Sequence, residues 1–417
     1  MKTKVIGLVM AIMGWAGLYG QKNCSTSSYR DRVSQNDPSV AAAWNSIESF
    51  TNNYINNQAG IAARDLRGTV IKIPVVIHIL YHFPEENISD AQVIKQLDVL
   101  NKAFRRRNAD TILTPPVFAA LAADCEIEFE LAVSDPRRRN TSGIIRKYTP
   151  VKEWQDNDEM KFSATMGDDA WDTKSYLNIW VCKMQRVAGY SSLPGADPLK
   201  DGVVLATNVF GSGRVTGLDM GKTAVHEVGH WLNLHHLWGD EYCGDDKVND
   251  TPKQGGYTAG CPNTTQISCN NGPYGNMYMN YMDFTSDACM NMFTQGQKLR
   301  MRALFETGGP RSLLLNSTGL QAPLVFETPL PEDPPRWLYP QVYPNPARDE
   351  IILDIAYDIR WIGKTINVLN LQGQVVLQLT LSSKIQSIPL RSLSPGLYIL
   401  RARKEDGEII QQKFVKL

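Results

Sequence analysis

Residues 223–236 read Thr-Ala-Val-His-Glu-Val-Gly-His-Trp-Leu-Asn-Leu-His-His and contain four of the six histidines in this chain of 417 residues. On a helix, His226 and His230 project from one face, one turn apart, and Glu227 beside them can reach a metal-bound water without acting as a ligand. A catalytic zinc site commonly takes three protein ligands and keeps one position open. The stretch therefore predicts a helical zinc site that still needs a third ligand.

The third ligand is predicted to be His236, six residues after His230, with His235 as the alternative. Before it, the chain must leave the helix and turn through a residue with a positive backbone angle. Asn233 lies there, and asparagine tolerates that conformation better than most residues other than glycine. A glutamate on a later helix finds no support as a ligand, because residues 242–305 contain no glutamate.

Charge and hydropathy narrow the class of protein. The chain has 43 basic and 43 acidic residues and no long basic tract, so no nucleic-acid partner is expected. Residues 1–20 have the charged and apolar parts of a signal peptide, and the apolar part is shorter than the roughly 20 residues of a membrane span. We predict an exported protein without a transmembrane segment, and we expect a monomer.

Residues 21–67 form a polar segment with helical stretches such as residues 40–50, and it ends in Ala63-Arg-Asp-Leu-Arg-Gly68. This pattern predicts a propeptide with basic cleavage points. Its one cysteine, Cys24, is a candidate cysteine switch, because a thiolate is a strong zinc ligand. The alternative is a passive cysteine.

Strands and helices alternate from residue 70 to the zinc helix, which indicates an α/β domain. Ser89-Asp-Ala-Gln92 offers a capping box for a helix with an apolar stripe. The predicted strands are residues 70–80, 125–133, 176–181 and 203–207.

Seven cysteines in an exported chain favour disulfides. Four of them follow the zinc helix, at Cys243, Cys261, Cys269 and Cys289, and they allow three pairings. Cys125 and Cys182 lie in apolar strands, where two free thiols and a third bridge are equally expected.

The composition changes again near residue 311. Residues 323–346 hold eight prolines, which predicts an extended linker over residues 312–341. Short strands then alternate with turns such as Gln372-Gly and Asp406-Gly. Residues 342–417 therefore predict a small all-β sandwich domain.

The segment from His226 to His236 resembles the extended zinc motif of the metzincin metalloproteases, and Asn280-Tyr-Met-Asp-Phe284 resembles their Met-turn. The order of Cys243-Gly-Asp-Asp, Asn249-Asp-Thr-Pro252 and Phe293-Thr-Gln-Gly-Gln297 is similar to the pappalysin family of metzincins. The resemblance implies a catalytic domain over residues 68–311, with a twisted sheet, a zinc helix and a C-terminal subdomain.

The same resemblance implies roles for single residues. His226, His230 and His236 would bind zinc, Glu227 would be the general base, and Met282 would be the Met-turn methionine. Where family members often have a tyrosine, this chain has Phe284, so stabilisation of the oxyanion would rest on zinc.

Disulfides and a second metal are also implied by the resemblance. The pairs would be Cys243 with Cys269 and Cys261 with Cys289. Structural calcium is expected nearby, and hard oxygen ligands are offered by Asp245, Asp246, Asp250 and Thr251.

The C-terminal stretch resembles the type A sorting domain of the type IX secretion system, in Val342-Tyr-Pro-Asn-Pro346, Leu393-Ser-Pro-Gly-Leu-Tyr398 and Lys413-Phe-Val-Lys-Leu417. That resemblance implies export through the periplasm to the surface or the medium, with the secretion machinery as a partner. The alternative is a sandwich that binds carbohydrate or protein.

Together these features predict a secreted zinc endopeptidase, made as a precursor, that hydrolyses proteins or peptides with a zinc-activated water and Glu227 as base. The alternative from another class is a surface adhesin or binding protein on an inactive metzincin scaffold.

Overall fold

The computed structural model describes residues 24–57, 68–326, 339–404 and 407–417. The predicted signal peptide, the C-terminal end of the predicted propeptide and the middle of the proline-rich linker lie outside these ranges. Within them, no helix is both long and apolar enough for a membrane span.

A mixed sheet forms one layer of the N-terminal part. Its strands are β1 (Ile71–Tyr81), β2 (Ile127–Leu131), β3 (Ile144–Tyr148), β4 (Leu177–Cys182), β5 (Gly189–Ser191) and β6 (Val203–Ala206). The order is β2-β1-β4-β6-β5, and β3 pairs with the later part of β1. All pairs are parallel except β5 with β6, so β5 is an antiparallel strand at one edge. The central strands β1 and β4 are almost wholly buried, as expected for parallel strands covered on both faces.

The helices are α1 (Thr26–Asn36), α2 (Pro38–Asn57), α3 (Asp90–Phe104), α4 (Pro116–Ala119), α5 (Lys222–Trp231) and α6 (Gln295–Ala303). Helices α3 and α5 contact each other, and they also contact β2 and the β5–β6 edge respectively. Helix α3 buries the predicted apolar stripe against this layer. Its predicted capping box is wrong in one half: Ser89 Oγ accepts from the backbone of Gln92, but the Gln92 side chain donates to Phe210 O instead.

Two disulfides hold the irregular segment between α5 and α6, Cys243–Cys269 and Cys261–Cys289. These are the pairs that the resemblance implied. Cys125 and Cys182 are buried free thiols, and burial raises the pKa of both. The third bridge left open by the sequence is therefore not formed.

The C-terminal domain is all β. Its strands are β7 (Gln341–Tyr343), β8 (Glu350–Asp354), β9 (Thr365–Leu369), β10 (Val375–Thr380), β11 (Ile385–Pro389), β12 (Gly396–Arg403) and β13 (Ile409–Lys416). They form antiparallel sheets of order β10-β9-β12-β13 and β11-β8-β7. The two sheets share a core that includes Trp361, Leu400 and Phe414 and is separate from the core of the N-terminal part. The predicted α/β domain followed by an all-β domain is confirmed.

Candidate active site

Helix α5 carries the histidine motif at the centre of the core, and every residue from Lys222 to Trp231 is buried. The helix ends at Trp231, and Asn233 then takes a left-handed conformation with φ of 70°. This is the turn that the sequence predicted at Asn233. Its side-chain amide donates to Thr51 Oγ1 at 3.3 Å, which links the turn to α2.

Three imidazoles converge beside α5. Nε2 of His230 lies 3.1 Å from Nε2 of His226 and 3.0 Å from Nε2 of His236, and the third separation is 3.3 Å. All three residues are at most 2% exposed. His235 instead lines a cavity beneath α2. The structure thus brings His236, and not His235, to the other two histidines.

The other ring nitrogens determine where the lone pairs point. Nδ1 of His226 and Nδ1 of His230 each contact a backbone carbonyl oxygen, at 2.7 and 2.8 Å. Nδ1 of His236 contacts a carboxylate oxygen of Asp240 at 2.5 Å. Since these oxygens accept, each Nδ1 carries the proton and each Nε2 presents a lone pair to the other two rings. Such a cluster is repulsive without a cation, and neutral imidazole is a zinc ligand, so the donor set fits zinc.

Electrostatics in the site favour neutral rings. Burial and the neighbouring His236 lower the pKa of His230 well below its ordinary value. Burial alone would raise the pKa of Asp240, but hydrogen bonds from His236 and Ser27 and the charge of Arg30 hold that pKa below its usual range. Asp240 therefore remains a carboxylate that orients His236. The sequence analysis missed Asp240, although its spacing of four residues from His236 was a usable signal.

Glu227 lies beside the histidines and is fully buried. Its Oε2 accepts a hydrogen bond from Thr26 Oγ1 at 3.0 Å. Gly189 on β5 makes room for it, because a Cβ at that position would lie 3.1 Å from Glu227 Cγ and 2.8 Å from Val204 O. The base predicted from the sequence is thus held between α5 and the edge strand.

The predicted Met-turn lies beneath the histidines. Met282 is fully buried, and its Sδ packs against Gly229, where an added Cβ would lie 2.6 Å from the sulfur. The adjoining Tyr281 supplies the carbonyl that accepts from His226. The ring of Phe284 lies 4.9 Å from that of His236 and contributes no hydroxyl.

The segment before α2 fills the cleft above the site. Cys24 Sγ and the three histidine nitrogens lie within 4.8 Å of one another. The backbone of Cys24 forms an isolated parallel β-bridge with Gly189, and Ser191 N donates to Thr26 Oγ1 at 3.0 Å. This segment therefore lies along β5. Burial and the charge of Glu227 raise the pKa of the Cys24 thiol, so a thiolate there needs a cation beside it.

The predicted calcium ligands do not converge. Asp245 pairs with Lys247 at the surface, and Asp246 accepts from Thr251 Oγ1. Asp250 accepts from Thr294 Oγ1 and Gly296 N at the start of α6. Within the described ranges, the one group of three or more candidate ligands is Cys24 with the three histidines. The structure therefore does not support the calcium prediction.

His78 and His82 lie on or just after β1 and take no part in the cluster. Nδ1 of His78 contacts Asp168 at 2.6 Å, and Nδ1 of His82 donates to Thr149 O at 3.0 Å.

Comparison with known proteins identifies the family. A family model described as pregnancy-associated plasma protein-A matches residues 161–306. An extracellular metalloprotease of Arthroderma otae is 31% identical over 240 residues, which cover 55% of this chain and 76% of that protein. The chain belongs to the family that is described as pregnancy-associated plasma protein-A, which the sequence analysis named as the pappalysin family. It is a metalloprotease, as the pappalysin resemblance predicted.

Solved structures agree with this assignment. Mature mirolysin of Tannerella forsythia, in complex with a cleaved peptide, is 47% identical, covers 59% of this chain and 96% of its own, and has a TM-score of 0.58. A promirolysin variant from the same organism is 41% identical, covers 71% of this chain and 97% of its own, and has a TM-score of 0.65. The C-terminal domain matches a family model for a secretion-system sorting domain over residues 341–416. This family member is thus secreted or held at the cell surface, and its C-terminal domain is a type IX sorting domain.

Proposed function

We propose that the chain is a latent endopeptidase whose zinc ion is held by His226, His230 and His236. The observation that carries the proposal is the set of three inward-facing Nε2 atoms, within 3.3 Å of one another, beside a buried glutamate. A bound zinc ion would lower the pKa of a coordinated water toward neutrality and polarise a peptide carbonyl. Mirolysin has been solved with a cleaved peptide, which supports a peptide substrate here.

Glu227 is the proposed general base. It takes a proton from the attacking water and later returns it to the leaving amine, so the carboxylate is restored at the end of each turnover. Gly189 leaves space for this side chain on β5. Tyr281 and Asp240 orient two of the histidine rings through their Nδ1 protons.

Latency is assigned to the segment from Cys24 to Asn57. Cys24 would supply a sulfur ligand to a zinc ion held by the three histidines, in place of water, and Thr26 donates to Oε2 of Glu227. Removal of this segment frees both positions. The domain limits proposed with it are a signal peptide over residues 1–20, a propeptide over 21–67, a catalytic domain over 68–311, a linker over 312–341 and a sorting domain over 342–417.

Casein or gelatin cleavage by the purified, processed protein tests this function. We expect activity that a chelator removes and zinc restores, and a loss of about 100-fold or more in the Glu227→Ala variant. A processed wild type without chelator-sensitive cleavage would instead favour an adhesin or binding protein on an inactive scaffold.

A further inference from the structure

Helix α2 packs against α6 and against the turn at Asn233, and it carries a single charge. Its sequence, residues 38–57, is PSVAAAWNSIESFTNNYINN, in which Glu48 is the one side chain that is charged at neutral pH. The residues at 44, 47, 48, 51 and 54 recur at helical spacing, and each is buried or partly buried, whereas residues 45, 49, 52 and 53 are exposed. The helix thus presents one carboxylate in the middle of its inward face.

Glu48 meets a fully buried arginine. Its Oε1 and Oε2 accept from Nη1 and Nη2 of Arg300, at 2.9 and 2.7 Å, while the Arg300 side chain is 0% exposed. The guanidinium also donates to the backbone carbonyls of Asn233 and Lys247. Bidentate pairs of this kind are strong, and loss of the carboxylate would leave a buried cation without a counter-charge.

On either side of the Glu48–Arg300 pair, other side chains of α2 fit against the catalytic domain. Ile47 packs against Gly195. A Cβ added to Gly195 would lie 2.5 Å from Cδ1 of Ile47, so only glycine leaves room for the Ile47 side chain at this position. Tyr54 donates to Glu306 at 2.9 Å, one helical turn and a half from Glu48. Together Arg300, Asn233, Leu193, Gly195 and Glu306 form a surface on the catalytic domain that we name the Arg300 surface.

The packing is incomplete next to the ion pair. A cavity of about 290 Å³ lies between Trp44 and Glu48 of α2 and Leu193, Pro194 and His235 of the catalytic domain. Apolar packing is therefore incomplete on this side, and removal of the Glu48 carboxylate would leave the Arg300 charge buried without compensation from nearby apolar contacts.

We propose that the Arg300 surface is a binding site in its own right, which takes a helix with one carboxylate on an apolar face. Its natural occupant is α2, and the site keeps the prosegment bound after the chain has been cut between residues 57 and 68. This inference rests on the proposed latency. The first cut then makes the enzyme a complex with its inhibitor, and activity requires the fragment to dissociate or to be cut again.

The site is also connected to the histidine turn. Arg300 donates to the Asn233 carbonyl, and Thr51 of α2 accepts from the Asn233 side chain. Both contacts hold the residue through which the chain turns from His230 to His236. Docking of α2 therefore adds to the rigidity of the third histidine as well as to the affinity of Cys24.

Binding of a fluorescent peptide of residues 38–57 tests the proposal directly. The peptide lacks Cys24 and α1, and it is titrated into processed enzyme freed of its prosegment, with a hydroxamate inhibitor in the active site to prevent hydrolysis. We expect saturable binding, a loss of roughly 10-fold or more with the Glu48→Gln peptide, and a change below about 2-fold with Asn53→Ala, an exposed position. Equal affinity of the Glu48→Gln and unaltered peptides, or no saturable binding, would overturn the proposal.

The full chain provides a second readout. After limited proteolysis between residues 57 and 68, the fragment that contains α2 should co-elute with the enzyme in the wild type and in Asn53→Ala, and separate from it in Glu48→Gln. Co-elution in all three would refute the role of the ion pair. Neither assay measures catalysis, so a failure of the proposed peptidase function would leave both results interpretable.

Discussion

Cys24 Sγ lies 3.5 Å from Glu227 Oε2, and 203 positions of the chain separate the two residues. The same oxygen accepts from Thr26, so the proposed base is covered by the segment that also brings sulfur to the histidines. One stretch of three residues thus contacts both the histidine cluster and the proposed base. If the proposed peptidase function holds, this segment must leave the cleft before a substrate carbonyl can reach the histidines and Glu227.

The Cys24→Ala variant should mature faster than the wild type. Loss of a ligand worth even about 1.4 kcal/mol raises the population of the open state about tenfold. A time course of precursor conversion by gel electrophoresis measures this, with Ser28→Ala as control because Ser28 is exposed one turn away. Equal conversion rates for Cys24→Ala and wild type would show that the cysteine is passive.

Asp240→Asn should weaken zinc binding by about 10- to 100-fold, because His236 loses the carboxylate that fixes its tautomer and raises its basicity. Competition with a chromophoric chelator measures the affinity without any substrate. The neighbouring exposed Glu241→Gln should leave the affinity unchanged. If Asp240→Asn bound zinc as tightly as the wild type, the carboxylate would have no role at the metal.

Gly229→Ala should destabilise the protein. Alanine is the better helix former by about 1 kcal/mol, but the new Cβ would lie 2.6 Å from Met282 Sδ, and both residues are buried. Overpacking of this kind costs about 1–3 kcal/mol, so the clash should win. Denaturant unfolding measures the difference. Gly256→Ala, which meets nothing within 4 Å, is the control, and equal stability of the two variants would contradict the packing beneath α5.

The latent form should lose stability in mild acid through His235. Burial, with the charge of Arg300, lowers the pKa of His235 to about 4 in the folded chain, against about 6.5 when unfolded. The folded pKa is the lower one, so the stability is fully present above pH about 6.5 and is lost as the pH falls toward 4. His235→Gln, which has no charge to gain, should reduce the loss by about 1–3 kcal/mol.

Unfolding free energies of wild type and His235→Gln at pH 7 and pH 4 give that difference. Subtraction of the two profiles removes the contribution of titrating groups that do not interact with His235. Glu48 and Asp240 do interact with it and oppose the shift, so the difference reports His235 together with this interaction. Parallel profiles would mean that His235 titrates normally.

Local patterns in the sequence predicted most of the architecture. The β-branched strands, the apolar stripe of α3 and the left-handed turn at Asn233 each depend on residues close together in the chain. The edge strand β5 was missed because three residues, Gly-Tyr-Ser, carry no periodicity. Its importance comes from partners that are distant in sequence, namely Cys24 and Glu227.

Two features of the charged side chains could not be read from the sequence. The acidic residues 245–250 suggested calcium, but sequence does not reveal that their carboxylates turn toward Thr251, Lys247 and the start of α6. The contact of Glu48 with Arg300 joins residues 252 positions apart and was equally invisible. No periodic pattern in the sequence indicates which distant residue a charged side chain will contact. Long-range pairs of this kind are therefore found only in the structure.

The most direct test of the zinc site and of its closure is zinc-edge X-ray absorption on the purified latent protein. We expect one zinc ion with three nitrogen ligands and one sulfur at about 2.3 Å, and we expect the sulfur to be replaced by a light atom in Cys24→Ala. A latent wild type whose zinc has histidine ligands but no sulfur ligand would contradict the proposed cysteine switch at Cys24. A protein without histidine-bound zinc would contradict the proposed zinc site.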